Sequence, residues 1–114
     1  MLGIFGAILL GAAVLIVATI TIVWLTNRIK LLLQNRRAKK VIIEDIDRAI
    51  KECDNEEALF KVKEMKNKGV ALLSYSVDEN NNIIESEAYQ DKNSQLDNEV
   101  DELLGKERMV VVVK

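Results

Sequence analysis

The sequence contains no histidine, no proline and a single cysteine, Cys53. Without histidine there is no imidazole general base, no Ser-His-Asp or Cys-His couple and no histidine metal ligand. One cysteine closes no intramolecular disulfide and builds no cysteine-rich zinc site. Cys53 falls on the apolar side of a helical pattern, so it reads as a small core residue, and one reduced cysteine fits the cytoplasm. Aromatic residues make up 4% of the chain, too few to interleave with cations as a stacking platform for nucleic acid. Of the five glycines, Gly69 and Gly105 stand where helical patterns stop, and no glycine-rich phosphate loop is present.

Charge is absent from one region altogether. Residues 1–26 carry no charged side chain. Residues 27–40 carry Arg28, Lys30, Arg36, Arg37, Lys39 and Lys40 and no acid. Residues 41–114 then hold ten cations against all eighteen acids, a net of −8 within a chain of net −2. This sorting predicts three domains: a transmembrane helix over 1–26, a basic juxtamembrane segment over 27–40 and a small acidic domain over 41–114.

The run from Leu2 to Leu25 is long enough to cross a hydrocarbon core about 30 Å thick at about 1.5 Å per residue. Trp24 falls in its last turn, at headgroup level. No basic residue precedes the run, which argues against a cleaved signal peptide. All six cations follow it, which predicts a single-pass protein of the cell inner membrane, N-terminus outside and C-terminal domain cytoplasmic. Gly3, Ala7 and Gly11 repeat at four-residue spacing and form a candidate surface for helix packing in the membrane. Arg28, Lys30, Arg36, Arg37, Lys39 and Lys40 are candidate contacts to lipid headgroups. With no proline or glycine in the way, the basic segment is expected to continue the helix.

The acidic domain reads as α-α-β-β-α-β, giving an α+β class overall. Ile42, Ile46, Ala49, Ile50 and Cys53 predict a helix over Val41–Cys53. A second helix is capped at Asp54, with Glu57 three residues on, and runs to Lys68. Strands follow at Val70–Val77 and Ile83–Tyr89, joined by an Asp78–Asn82 turn. Ser94 caps a third helix that ends at Gly105, and Met109–Val113 is a final strand needing cover on both faces. Val110, Val111, Val112 and Val113 are therefore a candidate partner-binding strand. A module of this size invites homo-oligomerisation or a partner.

No catalytic, cofactor or metal site is expected. The Asp78–Asn82 oxygens begin like a calcium loop, but Ile83 replaces the required glycine and Tyr89 the terminal glutamate. The acids on the first and third predicted helices read as solvated faces. The expected function is thus not enzymatic. It is a membrane-anchored adaptor or assembly factor that concentrates a protein partner at the cytoplasmic face, binding lipid bilayer and protein but no nucleic acid. A small membrane-active toxin or holin-like protein is the alternative, although so large a patterned domain is superfluous to that role.

The apolar Leu2–Leu25 run, the basic Arg28–Lys40 stop and the acidic domain, in a proline-free chain rich in Asn and Lys, resemble the small membrane-bound head-assembly proteins of T4-like tailed phages. The resemblance is one of architecture, without a specific motif. It implies a chaperone-like role in viral capsid assembly at the host cell inner membrane, with a portal or other prohead-initiation protein as partner.

Overall fold

β-Branched residues crowd the stretch from Val14 to Val23, and such side chains favour extended backbone. The computed structural model of the chain describes residues 13–53, 55–92 and 96–114. Its first strand, β1, is Ala13–Val17. Thr21 then caps helix α1, Ile22–Leu33, its side chain accepting from the Trp24 N–H at 3.1 Å. This corrects the expected transmembrane helix: the second half of the apolar run is a sheet strand followed by the start of a separate, capped helix. Among the described residues no helix is long and apolar enough to cross a membrane. The orientation read from the flanking charges rested on that span. Gly3, Ala7 and Gly11 lie outside the described residues.

The basic segment is not a continuous helix either. α1 crosses the expected boundary at residue 26 and ends at Leu33, and strand β2, Lys40–Asp45, already begins at Lys40. Consequently the expected helix over Val41–Cys53 is corrected too. Its first part is β2, where Val41, Ile42 and Ile43 are β-branched, and only Ile46–Glu52 is helix α2. Asp45 makes the switch by accepting from the Asp47 N–H at 2.7 Å, an N-cap bond that ends the strand and starts the helix.

Helix α3 is Glu56–Asn67, capped by Asn55 rather than Asp54, which is not among the described residues. Gly69, at φ 98°, ends its connection, a backbone angle that side chains resist. Strand β3 is Val70–Val77 and strand β4 is Ile83–Asp91. Helix α4, Asn98–Leu104, is capped by Asp97, Ser94 lying outside the described residues, and strand β5 is Met109–Val113.

The strands form one sheet in the order β1-β4-β3-β2-β5, antiparallel except for the β1–β4 pair. α1 and α4 cover one face, burying Leu25, Ile29, Leu32, Val100 and Leu104 on Val41, Ile43, Leu72 and Tyr89. α2 and α3 cover part of the other, where Ile46, Ala49 and Val62 meet Val70, Leu73 and Ala88. Each large aliphatic side chain so buried contributes about 2 kcal/mol. Among the described residues the architecture is thus α+β, with four helices about a five-stranded sheet. It takes in residues 13–40, part of the expected span and the whole of the expected juxtamembrane segment.

Candidate interaction surface

Two buried polar groupings tie elements of the fold together. From α1, Arg28 reaches Glu87 on β4, with Nε 2.8 Å from Oε1 and a second ion-pair contact through Nη2. The Tyr89 hydroxyl donates to the same carboxylate at 2.8 Å and lies 2.5 Å from the Ser74 hydroxyl. Burial by itself would raise the Glu87 pKa, but Arg28 and Tyr89 outweigh it and the net shift is downward. On the opposite face the Tyr75 hydroxyl donates to Glu44 at 2.7 Å. Glu44 is 1% exposed, and its Oε2 has no hydrogen-bond partner among the described residues. Among the described residues, no group of three or more His, Cys, Asp or Glu could hold a metal ion.

Among the described residues the sheet has two margins, β1, where Val14 and Ile16 are exposed, and β5, whose two ends carry distinct charge clusters. Within the same described residues β5 pairs on one side only, with β2. The Arg108 carbonyl accepts from Asp45 and the Lys114 N–H donates to Lys39, both at 2.9 Å across that pairing. Strand alternation therefore turns the N–H and C=O groups of Met109, Val111 and Val113 outward. No charged residue, proline or bulge interrupts this edge, although natural edges are ordinarily blunted by such devices. Val110 and Val112 pack into the core, while Val111 is 43% and Val113 74% exposed. The expected cover on both faces is not found among the described residues: the strand lies at the sheet margin, with Val111 and Val113 exposed.

The two ends of this edge differ in charge. Beside Met109, Arg108 Nη2 bonds Asp45 at 2.7 Å and Asp101 at 2.8 Å. Arg48 there bonds Glu52 at 2.7 Å and the Glu107 carbonyl at 2.6 Å, so four acids surround two arginines. Beyond Val113 the order reverses. Lys114 Nζ donates to the Asn35 carbonyl at 3.0 Å, and Lys40 pairs with Val113. An open cleft of about 540 Å³ follows, lined by Arg36, Arg37, Lys39, Asp78, Glu79, Asn80 and Asn82. Asp78 is tied down there, accepting from the N–H groups of Asn80 and Asn82 at 2.9 Å. Those bonds, that from Asn82 first, hold its carboxyl below the ordinary value.

Of the six cations singled out as headgroup contacts, Arg36, Arg37, Lys39 and Lys40 come together at this end of the sheet, joined by Lys114. Lys30 is exposed in the last turn of α1. Arg28 is set apart from them by its pairing with Glu87. β1 runs parallel to β4, so Ala13 also opens toward this end, where β4 begins at Ile83. The Arg28–Glu87 pair carried no sequence signal, since the partners lie 59 positions apart.

No protein-family model, no curated protein and no solved structure matches the chain.

Proposed function

We propose that this chain is a non-catalytic docking module, an assembly factor that sits on an anionic membrane surface and captures an extended segment of a partner protein along β5. The observation that carries this reading is the β5 edge itself: an outward row of backbone donors and acceptors flanked only by apolar side chains. Strand addition satisfies those groups and buries Val111 and Val113, the recurring way in which an exposed sheet edge binds an extended peptide. The membrane component draws on the cation cluster at the end of the sheet toward which β1 opens, and on the uncharged sequence of residues 1–12 that precedes β1. Basic residues beside anionic headgroups contribute about 1 kcal/mol each.

The resemblance to phage head-assembly proteins makes a portal or other assembly protein the specific partner in this reading. Of the features behind that resemblance, the sorting of charge belongs to the sequence itself, whereas the span is corrected.

Val111→Pro tests the docking. The Val111 N–H points away from β2, so proline there removes an outward donor while sparing the pairing with β2. Full-length protein carrying a photo-crosslinker at Val113 is expected to join a defined partner in cells, and Val111→Pro to abolish the product. A product of unchanged yield in the variant would overturn the edge reading.

A further inference from the structure

The reading of β5 as a docking edge leaves open what kind of strand it takes, and the charges at its two ends bear on this. The end beyond Val113 gathers Lys39, Lys40, Arg36, Arg37 and Lys114 against Asp78 and Glu79, of which Asp78 faces Arg37 at 3.9 Å. The end before Met109 gathers Asp45, Glu52, Asp101 and Glu107 about Arg48 and Arg108. Between them lie five residues without charge, a length of about 17 Å. That separation exceeds the Debye length of about 8 Å at physiological salt, so each end acts on an incoming strand separately.

We infer that β5 selects its partner by polarity: the occupant is an apolar, β-branched segment with acidic residues at the end that meets Lys39 and Lys114 and basic residues at the end that meets Asp101 and Glu107. For an antiparallel strand the acids come first in sequence, because β5 runs toward Lys114. Complementary charge at both ends fixes register and direction, and the reversed strand places like charges together at both.

This inference rests on the docking reading, and two peptides separate the failure of one from the failure of the other. One carries a pair of glutamates, an alternating valine–threonine core and a pair of lysines; the other is its reversal, lysines first. Fluorescence anisotropy with the full-length protein is expected to give about tenfold tighter binding of the acid-first peptide, as several surface ion pairs of a few tenths of a kcal/mol each would produce. The preference should shrink as salt is raised, and Lys39→Glu combined with Lys114→Glu should cancel or invert it. Equal binding of the two peptides, both lost in Val111→Pro, would overturn the polarity and leave the docking edge standing. Binding of neither would overturn both, and a concentration-dependent dimer abolished by Val111→Pro would replace the foreign strand with a second copy.

Discussion

Arg28 and Glu87 tie the first helix to the fourth strand through a two-point ion pair, the arginine side chain 28% exposed and the glutamate 10%. The pair lies under α1 beside the Tyr89 ring, which meets Trp24 edge-on at 4.9 Å between centroids. Residues from within and just beyond the apolar run thus lock onto the sheet that the run itself extends.

Removing one partner leaves the other desolvated. Arg28→Ala is expected to lower unfolding stability by about 2 kcal/mol, discounted for the partial exposure of the pair. Arg28→Lys should recover only part of this, since an ammonium cannot reproduce the fork. Glu87 has a depressed pKa, so its contribution is present above the unfolded value of 4.5 and is lost as pH falls through the lower folded value. Urea unfolding of wild type and Arg28→Ala across the acid range checks this: the gap between them should close on acidification.

Glu44 behaves in the opposite sense. Burial pushes its carboxyl up to about 7 from 4.5; Tyr75 and Arg48 oppose the rise and Glu52 adds to it. The folded protein then holds this proton more tightly than the unfolded chain, so stability falls as pH rises from 4.5 to about 7. Glu44→Gln should flatten that slope and exceed wild type above the window by about 1–2 kcal/mol. A slope that persists in the variant would assign the titration to another group.

Leu25 and Val23 distinguish the sheet-packed helix from a lipid-facing one. Leu25 is fully buried and Val23 66% exposed, two residues apart on α1. Leu25→Ala is expected to cost about 3 kcal/mol and Val23→Ala about 0.5 kcal/mol or less. Similar losses at both positions in thermal or urea unfolding would contradict the packing of α1.

The basic end of the sheet makes the membrane component measurable. Full-length protein should sediment with vesicles rich in phosphatidylserine and much less with phosphatidylcholine alone. Lys39→Glu with Lys40→Glu should weaken this by at least about tenfold, at about 1 kcal/mol per cation removed. Binding that ignores both headgroup charge and these residues would remove the cation cluster from the proposal.

Local signals were legible wherever a single element decided them. β3 and β5 lie where alternation and the valine run placed them, and α3 ends before Gly69 because that position needs an angle only glycine takes readily. The sequence also determined the uncharged N-terminal run, the basic cluster and the acidic remainder, since these are sums over residues and need no partner. Tertiary structure alone decided what the apolar residues from Ala13 onward face. A buried strand, a core helix and a membrane helix all demand the same uncharged side chains, and only the pairing of Leu15 with Tyr89 and the packing of Leu25 into the core distinguish them. It alone decided, too, that Val41–Asp45 is a strand, that Arg28 meets Glu87, and that β5 stands at the margin of the sheet, because strand order is set by contacts between residues far apart in the chain.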